Sequence, residues 1–137
     1  MVLKKSLKKK SQSQKLPSDK TQTPITIDAS GKILGRLASE VAQFLIGKNQ
    51  PSFRPNYISG GKVTIINASK IKLTGDKIRQ KEYFRHSGYL GNLKKFTLGE
   101  MLKKNPAWVM KNAVSGMLPK NKLRKIYLKN LEVKNGA

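Results

Sequence analysis

The stretch Ile25-Thr26-Ile27-Asp28-Ala29-Ser30-Gly31-Lys32-Ile33-Leu34-Gly35-Arg36-Leu37-Ala38-Ser39-Glu40-Val41 changes hydrophobic period in its middle. Ile25 and Ile27 alternate with Thr26 and Asp28, as in a strand with one covered face. Ala29 to Lys32 is turn chemistry. From Leu34 the apolar positions run Leu34, Leu37, Val41, Phe44 and Leu45, one face of a helix, and Gly47 supplies its C-terminal stop. Strand, tight turn and helix in that order are the first half of a βαβ unit. The second half follows at Val63-Thr64-Ile65-Ile66, a run of strong β propensity after a loop of Pro51, Pro55 and Gly60-Gly61. A small α/β domain with a mainly parallel sheet is the fold class these elements predict.

Working outward, Ile71 and Leu73 around Lys72 suggest a third short strand before the turn at Thr74-Gly75-Asp76. Asp76 to Lys95 shows no clear period. Thr97 and Glu100 have capping-box spacing and open a short helix through Met101 and Leu102. Asn105-Pro106 reads as an N-cap with Pro in the first turn. Val109, Met110, Ala113, Val114 and Met117 make the apolar face that follows. A last helix is expected over Lys120 to Lys129, basic except on the side of Leu123, Ile126, Tyr127 and Leu131. Before Ile25, residues 1–24 hold seven lysines, one acid (Asp19) and only sparse leucines. That composition cannot offset its ordering entropy, so a flexible basic extension is expected, with the α/β domain spanning 25–137.

The 29 Lys and Arg against 7 Asp and Glu give a formal charge of +22, which repels itself in the compact state and calls for a polyanionic partner. The absence of cysteine excludes disulfides, thiolate catalysis and zinc ribbons. No apolar run approaches the roughly 20 residues that span a bilayer, and residues 1–24 contain no secretory h-region. An enzyme lacks material: His86 is the single histidine. The turn Ser30 to Arg36 lacks the second Gly-Lys-Ser/Thr of a P-loop, and Gly60-Gly61-Lys62-Val63 lacks its hydroxyl residue. No cofactor, metal or small-molecule substrate is expected.

The cations fall into clusters. Lys70, Lys72, Lys77, Arg79, Lys81, Arg85, Lys94 and Lys95 crowd one stretch, in which Tyr83-Phe84-Arg85-His86-Ser87-Gly88-Tyr89 interleaves rings, cations and glycine. RNA recognition uses those groups together, with rings stacked on unpaired bases and cations on phosphates. The bland alternative is that Tyr83 and Phe84 fill a core while the cations are solvated. Lys120, Lys122, Arg124, Lys125 and Lys129 form a second cluster; a basic helix could also rest on an anionic membrane, but its apolar side is short enough to be used packing the domain. A DNA-architectural protein would want a helix-turn-helix or groove wedges, and neither is evident. Nucleic acid, and RNA before DNA, is the partner that the charge footprint favours.

Several of these blocks also carry a resemblance. Ile27-Asp28-Ala29-Ser30-Gly31-Lys32 with Leu34-Gly35-Arg36-Leu37-Ala38-Ser39 closely resembles the opening of the universal large-subunit ribosomal protein thirteen family in its bacterial form. The likeness continues through Ile65-Ile66-Asn67-Ala68, Lys72-Leu73-Thr74-Gly75, Arg85-His86-Ser87-Gly88-Tyr89 and Gly116-Met117-Leu118-Pro119-Lys120-Asn121-Lys122-Leu123, in the family's order. It implies a three-layer α/β/α fold around a four-stranded, mostly parallel sheet, with basic extended terminal segments. It also implies a structural role in the large subunit of a cytoplasmic bacterial ribosome. There the chain would clamp ribosomal RNA early in assembly, beside neighbouring ribosomal proteins. Matching motifs imply RNA contacts at Lys32, Arg36, Lys72, Lys77, Arg85, His86, Lys120 and Lys122. The cation clusters add Arg79, Lys94, Arg124 and Lys125, and the 51–61 loop adds Arg54. The chain departs from the family pattern at Thr23-Pro24, at Pro55 to Gly61, after Leu123 and at its C-terminal end.

Overall fold

The computed structural model describes residues 24–51 and 53–136. The expected basic extension, apart from Pro24, lies outside the described residues. The chain runs β1 (Ile25–Asp28), α1 (Leu34–Ile46), β2 (Val63–Ile66), α2 (Lys77–Gln80), β3 (Glu82–His86), β4 (Leu93–Thr97), α3 (Leu98–Lys104), α4 (Pro106–Met117), α5 (Arg124–Lys129) and β5 (Leu131–Val133). A 3-10 turn, Ala68–Lys70, follows β2.

Two parallel strands need a crossover of a dozen or more residues, and α1 with the loop behind it supplies this between β1 and β2. The register places Ile25 beside Val63 and Ile27 beside Ile65. β5 then joins the other edge of β2 in parallel, Val63 beside Leu131 and Ile65 beside Val133. Side chains that share a register row share a face. The face carrying Ile25, Ile27, Val63, Ile65, Leu131 and Val133 meets the helices, and its buried members join Leu37, Val41, Leu45, Val109, Met110, Val114 and Tyr127 in one core. The opposite face carries Thr26, Asp28, Thr64, Ile66 and Glu132, none of them buried. Parallel sheets are ordinarily covered on both faces. Here the described residues cover one.

The helix α1 takes its shape from the expected pattern, burying Leu34, Leu37, Val41 and Leu45. Gly47 stands at φ 83°, and its N–H returns to the Gln43 and Phe44 carbonyls. The loop then crosses that helix end closely: a Cβ on Gly60 would lie 1.7 Å from the Leu45 carbonyl oxygen. Thr97 and Glu100 form the full capping box of α3 at 3.3 and 3.1 Å. Asn105 caps α4 by accepting from the Trp108 N–H at 3.0 Å.

Three sequence expectations change. Among the described residues the parallel sheet has three strands in the order β1-β2-β5, and β3 and β4 form a separate antiparallel pair, where one four-stranded sheet was expected. The expected third strand at Ile71–Leu73 makes only a bridge from Lys72 to Ile33. The turn at 29–32 and the 3-10 turn Ala68–Lys70 separate both partners from β1 and β2, so the bridge stands by itself and adds no strand. The C-terminal segment is no loose extension either: Leu131–Val133 is β5, and the last helix contracts to Arg124–Lys129.

Candidate nucleic-acid interface

The carboxyl ends of parallel strands are where open α/β sheets hold ligands, because the loops there converge on helix N-termini. In this chain those loops carry cations. Asp28 ends β1, and its Oδ1 accepts from the Ser30 N–H (3.0 Å), the Ser30 hydroxyl (2.9 Å) and the Asn67 amide (3.1 Å). The Ser30 backbone bond, then the Asn67 and Ser30 side chains, hold the Asp28 carboxyl below its usual range. Asn67 adopts a left-handed conformation (φ 59°) to reach it. The carboxylate is thus spent fixing two turns, and their lysines project outward.

Lys72 donates its backbone N–H to the Lys32 carbonyl at 3.0 Å, so Lys32 and Lys72 stand side by side at this rim. Both side chains are exposed. Beside them, Arg36 and Lys77 line a cleft of about 780 Å³ between the start of α1, the Leu73-Thr74 loop and the end of α4. Lys81 lines it too. The first turn of α1 carries no acid and no side-chain cap. Its partial positive charge therefore adds to that of the cations. Lys32, Arg36, Lys72 and Lys77, expected from separate motifs, form one surface able to hold phosphate oxygens.

A second surface lies on the β3–β4 hairpin, which the sequence pattern missed. Arg85 is paired directly with Lys94, and Tyr83 with Phe96, on one face. Like charges directly across an antiparallel pair repel. Neither cation belongs to the ion pairs found among the described residues, Lys95–Glu82 at 3.9 Å and Lys134–Glu132 at 3.6 Å. On the other face Lys95 lies 5.6 Å from the Phe84 ring centre. The bland alternative for the aromatics holds for one ring of the two: Tyr83 packs against the core while Phe84 is 59% exposed. His86 turns inward on its own loop, its Nδ1 accepting from the Gly88 N–H at 2.9 Å. That leaves Nε2 as the ring's donor.

The remaining candidates are scattered. Arg79 is exposed on α2, and Arg54 is exposed in the loop after α1. Lys120, Lys122 and Lys125 are exposed around the start of α5. Arg124 differs from them. Its Nη2 donates to the Ser115 carbonyl in the last turn of α4, and its Nε is buried without a partner. The side chain ties α5 to α4.

Sequence reasoning placed Lys81 in the central cation cluster but not among the RNA contacts, and it passed over Lys104 and Trp108. Lys81 lies 5.4 Å from the Tyr83 ring centre. Trp108 meets Tyr83 edge to face with centroids 5.0 Å apart, yet it remains 39% exposed. A large ring placed off the apolar stripe of α4 was the available signal. Among the described residues no group of His, Asp and Glu could hold a metal ion, and no helix is long and apolar enough to cross a membrane.

Residues 22–137 match the family profile described as Ribosomal protein L13. The chain is 50% identical over 110 residues to the large ribosomal subunit protein uL13 of Lawsonia intracellularis, covering 80% of this chain and 76% of that protein. It is 50% identical over 118 residues to that of Mycolicibacterium smegmatis, covering 86% and 80%. Against that of Helicobacter hepaticus the identity is 50% over 113 residues, covering 82% and 80%.

Proposed function

Since the chain belongs to the ribosomal protein L13 family of the large ribosomal subunit, we propose that it acts by clamping large-subunit ribosomal RNA through phosphate contacts. The observation that carries this reading is the convergence of Lys32, Arg36, Lys72 and Lys77 at the carboxyl ends of the parallel strands, with no acid among the residues lining the adjoining cleft. The cross-strand pair Arg85 and Lys94 offers a second hold, and Lys120, Lys122 and Lys125 a third. Arg54 and Arg79 are outlying contacts, and His86 contributes its Nε2 donor from the hairpin.

Cations spread over several elements suit separate RNA segments better than one groove of a duplex. Such a protein recognises the fold of its RNA through the backbone, and gathers segments during subunit assembly. The basic residues 1–24 and the neighbouring ribosomal proteins complete the contacts, in the cytoplasmic ribosome. The relatives are named as ribosomal proteins and not as enzymes.

The test compares folded large-subunit RNA with random-sequence RNA of equal length at matched salt. Tighter binding to the folded RNA, with log affinity falling linearly in log salt, is expected. Equal affinity for the two would falsify the reading.

A further inference from the structure

The hairpin face that carries Arg85 and Lys94 does not end in open solvent. Tyr83 and Phe96, one register row nearer the core, form a wall with Met101 and Trp108, enclosing a groove of about 500 Å³. Arg85 and Lys104 stand at its rim, and no acidic residue lines it. Trp108 is anchored at the start of α4 without being enclosed. Asn105 accepts its backbone N–H, Tyr83 braces its ring at 83°, and 39% of the residue is still exposed.

We propose that this groove receives one unpaired RNA base, which stacks on Trp108 while flanking phosphates lie on Arg85, Lys94 and Lys104. Aromatic walls with cations at the rim are the surface that single-stranded nucleic acid selects, because every base has a π-face and every linkage a charge. An apolar side chain from a protein would also fit the walls. It would leave the Arg85–Lys94 repulsion uncompensated, and the phosphates of a nucleotide remove it. The inference rests on the RNA-binding reading above and narrows it to one nucleotide-sized site.

Trp108 is the single tryptophan of the chain, so its emission reports on this groove alone. The full chain is titrated with a six-adenosine RNA and, separately, with inorganic polyphosphate of matched charge. The hexamer should quench Trp108 emission, whereas polyphosphate should bind without quenching. With a labelled hexamer, Trp108→Leu should weaken binding about tenfold, and Trp108→Phe, which keeps a stacking ring, by less than about threefold. Polyphosphate affinity should not change in either variant, and thermal melts confirm that both are folded. Unchanged emission at saturating hexamer overturns the proposal, as does an equal loss for polyphosphate in Trp108→Leu. If large-subunit RNA still binds tightly in that event, only the base site falls. If no RNA binds, the functional reading falls with it.

Discussion

The Arg124 guanidinium bonds the Ser115 carbonyl in the last turn of α4, whereas the side chain of Lys125, the next residue, is exposed. A cation on the last carbonyls of a helix satisfies an orphan acceptor and opposes the helix dipole. Hydrogen bonds to charged groups contribute roughly 1.5–3 kcal/mol, so Arg124→Ala should destabilise the protein by about 2 kcal/mol in denaturant melts. Lys122→Ala and Lys125→Ala should stay within about 0.5 kcal/mol of the parent. In RNA titrations the order should reverse, with each lysine variant lowering the salt slope by nearly one. A steeper loss of slope for Arg124→Ala than for Lys125→Ala would reassign Arg124 to the RNA surface. Sequence could not separate these two residues. Both belong to one basic run, and the contact that distinguishes them joins residues nine apart through a turn at Pro119.

At the scale of elements, what could be read ahead depended on which faces the core covers. The strand β1 and the helix α1 were legible because each has one buried face, which stamps its period on the sequence, and β2 was legible from its β propensity. Capping chemistry was local enough to locate α3 and the start of α4. The hairpin β3–β4 was not legible, since Glu82, Phe84, Arg85, His86, Leu93, Lys94 and Lys95 are all exposed and nothing enforces alternation. Only Gly88 and Gly91, both at positive φ, signalled a turn. Ile71 and Leu73 erred the other way: their alternation reflects burial without a ladder to join. The hairpin's own charges make its purpose testable. Lys94→Glu replaces the repulsion across from Arg85 with attraction, which should stabilise the fold by about 0.5–1 kcal/mol. The same change should weaken RNA binding at every salt concentration. A variant that melts lower, with the hairpin intact by NMR, would show that Arg85 and Lys94 do not strain the free protein.

The whole molecule combines a core on one face of a three-stranded sheet with +22 of formal charge and few internal ion pairs among the described residues. If its cations face RNA phosphates as proposed, they repel one another when RNA is absent. Chloride should act on the two states in opposite directions. Raising salt from 0.1 to 1 M shortens the screening length from roughly 10 to 3 Å, so the free protein should melt at progressively higher temperature. Complexes with large-subunit RNA should weaken over the lower part of that range. With six or more phosphates engaged, the loss between 50 and 200 mM is on the order of a thousandfold. Sodium chloride is the salt to use, because sulfate would raise the melting temperature by exclusion from any protein surface. In the presence of saturating RNA at low salt, the melting temperature should already exceed that of the free protein at high salt. Binding to the native state adds its own free energy, whereas screening only removes repulsion. A free protein whose melting temperature is flat or falling in chloride would mean that its cations are too far apart to strain the fold. The electrostatic account of why this chain needs RNA would then be wrong, even if the RNA contacts were right.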